Sequence, residues 1–193
     1  MKKLILFLFA TIALSSCTVY GWGDDSDKMP DHYRYRVKSL ESFDNLNSNL
    51  IYKITGEQLT EELKKHPKAI VYIFTNGTDR RIKPLKDYIE FAKNNDYKLF
   101  FVMDGYMNLR QTLEELNSNP SPVFVINRNS DEDNFKPSYV SRFENRLNVN
   151  IIVDGKKITC FNCLLYFENG DFIKRIEEYS GTKPRKRITF NGK

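Results

Sequence analysis

Sulfur and imidazole are scarce in this chain: three cysteines, two histidines and one tryptophan among 193 residues. Three cysteines cannot build the dense disulfide framework of a small secreted scaffold. Nor do they suit a structural zinc site. Cys160 and Cys163 would need two further ligands, while His32 lies far upstream and His66 ends a short helix. No metal or cofactor is expected. A glycine-rich phosphate loop, a nucleophile elbow and a His-Glu-x-x-His pair are all missing. The polar run 127–134 lacks the glycine and closing glutamate of a calcium loop, so it reads as a solvated segment. No apolar run reaches the ~20 residues needed to span a bilayer as a helix.

Charge of one sign is also missing from the body of the chain. The formal net charge is +5, but Lys2 and Lys3 belong to the amino terminus and Lys183, Arg185, Lys186, Arg187 and Lys193 to a basic tail, 182–193. The remainder is slightly acidic. It has no basic stripe interleaved with aromatics, which excludes nucleic acid as the expected partner.

What is present is organised around Ala69-Ile-Val-Tyr-Ile-Phe74. Six consecutive apolar residues, mostly β-branched or aromatic, predict a strand buried on both faces, as in a parallel sheet. A polar turn follows, Asn76-Gly77-Thr78-Asp79. Then Ile82, Leu85, Ile89 and Ala92 recur at helical spacing, with Pro84 where a first turn tolerates it. Ligands collect at such strand-to-helix turns in α/β sheets, because a helix start offers N–H groups and a positive dipole end. Asp79 reads as the N-cap of that helix.

Other elements follow from local patterns. Residues 50–54 predict a strand. Thr55 and Gln58 have capping-box spacing ahead of Leu59 and Leu63. Further strands are expected at Lys98–Met103 and Pro122–Ile126, and helices after Asn108 and around Val140, Phe143 and Leu147. Two hairpins are expected, one on Asp154-Gly155 and one on Asn169-Gly170. The order β-α-β-α-β-α-β with a closing hairpin is an α/β pattern, a central mixed sheet flanked by helices with a C-terminal β-hairpin.

The amino terminus carries a basic Met1-Lys2-Lys3, an apolar stretch to Leu14 and then Leu14-Ser15-Ser16-Cys17. This tetrapeptide resembles the lipobox of bacterial lipoproteins. The resemblance implies a signal peptide over 1–16, cleavage before Cys17 and a lipid on its sulfur that anchors the chain in the cell envelope, most simply the outer membrane at its periplasmic face or the cell surface. Several acyl chains, at ~0.8 kcal/mol per buried CH₂, make a permanent anchor. The polar, Gly- and Asp-containing stretch 17–49 then reads as a flexible tether from lipidated Cys17.

Across 50–181 the chain resembles thioredoxin: a strand and short helix, the buried strand, a turn, a helix with an early proline, a further β-α unit, and a hairpin of the form Leu164-Leu-Tyr-Phe-Glu-Asn-Gly170. The resemblance implies a thioredoxin-like fold with a degenerate active site. Where that family places two thiols, this chain has Asn76, Gly77, Thr78 and Asp79, and an amide and a carboxylate cannot shuttle electrons. The family's cis-proline position falls on Asn162 by the hairpin match, or on Pro122 if Pro122–Ile126 is taken as the fourth strand. A cis bond before a non-proline residue costs ~3 kcal/mol, so Asn162 is expected to be trans.

Cys160-Phe-Asn-Cys163 is itself Cys-x-x-Cys. In an extended chain the two Cα atoms would sit ~10 Å apart. A disulfide needs them within ~7 Å, so Phe161-Asn162 would have to turn. A local structural disulfide is the first expectation and a redox pair the second. The functional expectation is a lipid-anchored binding or scaffolding module for an envelope protein or peptide, with no catalytic residue assigned. The alternative is a thiol–disulfide oxidoreductase or isomerase using Cys160 and Cys163.

Overall fold

The structure is a computed structural model that describes residues 25, 26, 29–75, 83–117, 120–128, 136–153, 156–159 and 161–177. In chain order the elements are α1 (Asp31–Arg34), β1 (Val37–Ser39), β2 (Ile51–Ile54), α2 (Gly56–Leu63), β3 (Lys68–Phe74), α3 (Leu85–Asn94), β4 (Lys98–Met103), α4 (Leu109–Leu116), β5 (Val123–Ile126), α5 (Lys136–Arg146), β6 (Ile152–Val153), β7 (Lys156–Lys157), β8 (Cys163–Glu168) and β9 (Asp171–Glu177). No described helix is long and apolar enough to cross a membrane.

Seven strands form one mixed sheet in the order β1-β2-β5-β4-β3-β8-β9. The first five in that order run parallel, and β8 and β9 close the sheet as an antiparallel hairpin on β3. The fold is α/β, with helices on the sheet and a C-terminal hairpin, an arrangement consistent with a thioredoxin-like fold. Strand β5 lies inside the sheet, parallel to both β2 and β4. It is therefore not the antiparallel strand beside β3, and Pro122 does not precede that strand. Asn162 does, directly before β8.

The unbroken apolar run of β3 is explained by burial on two sides. Ala69, Val71 and Ile73 join the core under α2 and α5, with Leu59, Leu63, Val140 and Phe143. Ile70, Tyr72 and Phe74 join the core under α3 and α4, with Leu85, Tyr88, Leu109 and Leu113. Successive strand side chains leave opposite faces, so only a strand covered twice needs apolar residues at every position. Tyr72 packs its ring between Phe74 and Tyr88, at centroid distances of 5.0 and 4.5 Å.

Local rules account for several boundaries. Thr55 and Gln58 form the reciprocal capping box at the start of α2, with bonds of 3.2 and 2.9 Å. Asn169 and Gly170, at φ +51° and +87°, supply the two left-handed residues of the β8–β9 turn. Strands β6 and β7 pair as expected, Ile152 with Lys157 and Val153 with Lys156, while their turn residues 154 and 155 lie outside the described residues.

Two expectations are corrected. The flexible tether does not extend to residue 49. Met29 and Leu40 are buried, β1 pairs with β2, and the Phe43 ring meets those of Phe100 and Phe124 at 6.0 and 5.7 Å. The Gln58 side chain also donates to the Leu40 carbonyl at 2.9 Å. These apolar residues are too sparse to show a period, yet Leu40 and Phe43 join the core under α2 and α5 and Met29 the core under α3 and α4. The second correction concerns α3, which begins at Leu85 with Pro84 in the N-cap place, so Asp79 is not its N-cap.

Candidate functional site

The carboxyl ends of the parallel strands carry the polar groups that the apolar strands themselves lack. Strand β3 ends at Phe74 and β4 at Met103, and each is followed at once by a buried polar residue, Thr75 and Asp104. The Asp104 amide donates to the Phe74 carbonyl at 3.1 Å, extending the ladder by one rung. This places the two side chains together. The Thr75 hydroxyl donates to Asp104 Oδ1 in a short hydrogen bond, and the Tyr139 hydroxyl of α5 makes another to the Asp104 carbonyl. Asp104 is only 1% exposed. Burial makes the loss of such hydrogen bonds expensive.

Asn162 enters this group from the hairpin side. It takes a left-handed conformation, φ +53°, one residue before β8, and its Oδ1 accepts the Thr75 amide at 3.0 Å. No cis peptide occurs among the described residues, so the bond before Asn162 is trans. The hairpin residue matched to the family's cis-proline therefore reaches the first residue after β3, the entry to the turn. Asn76, Gly77, Thr78 and Asp79 themselves lie outside the described residues, as does Cys17.

The helix start that the turn was expected to exploit is already engaged. The Leu85 amide, the first of α3, donates to Glu115 Oε2 of α4 at 3.1 Å. A carboxylate at this end neutralises part of the positive dipole terminus that would otherwise favour an anion or a thiolate.

Cys163 opens β8, opposite Ile73 of β3 and Glu177 of β9. It is fully buried in the core under α2 and α5, and it is disulfide-bonded. Cys160 lies outside the described residues. The segment leading to it is held from β9: Arg175, whose side chain is 8% exposed, donates to the carbonyls of Ile158 at 3.1 Å and Thr159 at 3.5 Å, and pairs with Glu177 at 2.7 Å.

The histidines stand apart from this site. His66 Nε2 lies 2.9 Å from Glu62 at the end of α2, and Lys65 binds the same carboxylate at 2.8 Å. Burial opposes ionisation of Glu62, but the hydrogen bonds and charges of Lys65 and His66 outweigh it, holding its pKa below the usual glutamate value. Among the described residues no three His, Cys, Asp or Glu side chains gather as a metal site.

Sequence reasoning missed Thr75, Asp104, Tyr139 and Arg175. For the first two a signal existed: a polar residue immediately after each buried parallel strand sits at the sheet's ligand-bearing end. Tyr139 and Arg175 carry no local mark, since their roles depend on partners from other elements. No protein-family model matches the chain, and neither the curated proteins nor the solved structures provide a match.

Proposed function

We propose that this chain is a lipid-anchored lipoprotein of the bacterial cell envelope, whose thioredoxin-like domain has no redox centre and serves as a binding or scaffolding module. The observation that carries the domain half of this reading is the engagement of the α3 start by Glu115, together with the hydrogen bonds among Thr75, Asp104 and Asn162 that follow β3 and β4. Thr75 and Asp104 are buried, so they shape the entry to the turn at which a protein segment or a peptide would dock, and oxygen and amide groups cannot pass electrons. Burial of Cys163 within a disulfide supports the same reading, because an attacking thiolate needs access. The anchor half is supported by Leu14-Ser15-Ser16-Cys17 and the apolar stretch before it.

A second reading, thiol–disulfide exchange at Cys160 and Cys163, draws support from one contact. Asn162, between the two cysteines, touches Thr75 at the entry to the turn. Dithiol-driven insulin reduction separates the two. The binding module is expected to give no turnover above reagent alone, whereas turnover that vanishes in Cys160→Ser establishes the oxidoreductase. The anchor has a separate test in metabolic palmitate labelling. Label should be lost in Cys17→Ser, and label that persists refutes lipidation at that residue.

A further inference from the structure

We infer that the α1–β1 edge of the sheet is the face that lies on the membrane, where Tyr33, Arg34, Tyr35, Arg36 and Lys38 dock on anionic phospholipid headgroups. This deepens the lipoprotein reading and rests on its anchor half, not on what the turn after β3 binds. Asp25 and Met29 are buried, and the Met29 amide donates to the Ser26 carbonyl at 3.4 Å, so the chain joins the fold directly ahead of α1. Cys17 lies eight residues before Asp25. Even drawn out straight, eight residues reach no more than about 29 Å. Strand β1 is one edge of the seven-strand sheet and β9 the other. At about 4.8 Å from strand to strand, the two edges stand about 29 Å apart. The connection reaches no farther than the sheet is wide, so the α1–β1 edge is the one that an anchored chain keeps next to the bilayer.

The side chains at that edge suit a headgroup layer. Tyr35 is 64% exposed, the most of any large apolar side chain among the described residues. The Arg36 guanidinium lies 5.8 Å from the centre of the Tyr33 ring and 5.9 Å from that of Tyr35. A guanidinium can stack on rings and still offer its N–H edge to a phosphate, which an ammonium cannot match. Tyrosine rings, apolar in body and polar at the tip, settle at the level of the headgroups. Arg34 and Lys38 are exposed beside them. Asp31 pairs with Arg34 at 3.0 Å, but both are exposed, and such a pair is worth little.

Charge separates the two edges as well. Through α1 and β1, Arg34, Arg36 and Lys38 stand against Asp31 alone, a net positive edge. Strand β9 sets Asp171 and Glu177 against Lys174 and Arg175, so nothing draws it to an anionic surface. Each basic residue near such a surface favours the docked state about fivefold, and salt weakens the effect. Docked this way, the sheet stands on its β1 edge. The β8–β9 hairpin is carried away from the bilayer, and the carboxyl ends of the parallel strands face along it.

Hydroxyl-radical footprinting of the protein isolated from membranes and reconstituted in vesicles tests the face, with mass spectrometry reading each side chain. Pelleting with phosphatidylcholine vesicles reports the anchor alone. Adding phosphatidylglycerol to the vesicles should lower oxidation of Tyr35 about fivefold or more, with recovery at high salt, while Phe91 and Ile173 keep their reactivity. Arg34→Glu with Arg36→Glu should abolish the protection of Tyr35 without releasing the chain from the vesicles. Replacing Lys183, Arg185, Lys186 and Arg187 of the basic tail by glutamine should leave it in place. Tyr35 oxidised equally in both vesicles by a chain that still pellets overturns the docking face and leaves the anchor standing. Protection lost in the tail variant but kept in the arginine variant overturns it too, by moving the contact to the tail. A chain that does not pellet with phosphatidylcholine vesicles refutes the anchor, and this orientation with it.

Discussion

Replacing Gly56 by alanine sets local helix preference against the packing of α2 on α5. Helix propensity alone favours alanine by up to about 1 kcal/mol. At this position, however, an added Cβ would fall inside the Cβ of Arg146, closer than any real pair of such atoms, and 3.0 Å from the carbonyl oxygen of Phe143. Neither neighbour is the loose end of a flexible chain, so relief requires α5 to move away. That movement strains the hydrogen bond from the Thr60 hydroxyl to the Arg146 carbonyl, 2.7 Å long, which ties the two helices together. Overpacking of this kind costs about 1–3 kcal/mol. After the propensity gain, a net loss of about 1–2 kcal/mol is expected, a fall of roughly 3–8 °C in melting temperature for a domain of this size. Urea or thermal denaturation of the two chains measures it. Arg146→Gly removes the nearest clashing atom, its Cβ, together with the Cγ behind it, so Gly56→Ala should cost less in that background than alone. A Gly56→Ala chain as stable as the parent, or more so, would refute the packing argument.

Two further perturbations test other parts of the structure. Phe43→Ala should destabilise by about 2 kcal/mol, less than the roughly 3–5 kcal/mol of a fully buried ring, because Phe43 is only partly covered; a denaturation midpoint within error of the parent would return this segment to the role of a tether. For Glu62 the sign follows from a folded pKa held below its ordinary value of 4.5. Its contribution is fully present above that value and lost as pH falls through the lower, folded one. Glu62→Gln should therefore lower the urea midpoint at neutral pH, with the difference closing in acid, and a difference that stays constant or widens in acid contradicts the pairing with Lys65 and His66.

Much of the frame was legible because its causes are local. The Thr55–Gln58 box spans one helical turn, and the Asn169-Gly170 turn needs two residues that tolerate positive φ. Strand β3 could be read because burial on both faces leaves a continuous apolar run. The site was half legible. Its place at the end of β3 and the match of Asn162 to the hairpin followed from residue order, but the residues that shape it did not.

Local chemistry in the sequence thus determined which segments become strands and helices, where the tightest turn falls, and that no sulfur stands in Asn76–Asp79. Tertiary structure alone decided the rest, because the deciding partners are remote along the chain. Thr75 and Asn162 are 87 residues apart, Leu85 and Glu115 are 30 apart, and Thr75 and Asp104 are 29 apart. A hydrogen bond leaves no periodicity behind, so neither the capped start of α3 nor the buried polar group after β3 could be read before the strands were placed side by side. The same holds for Leu40 and Phe43, which join one core, and for Met29, which joins the other, since both cores are assembled from remote segments.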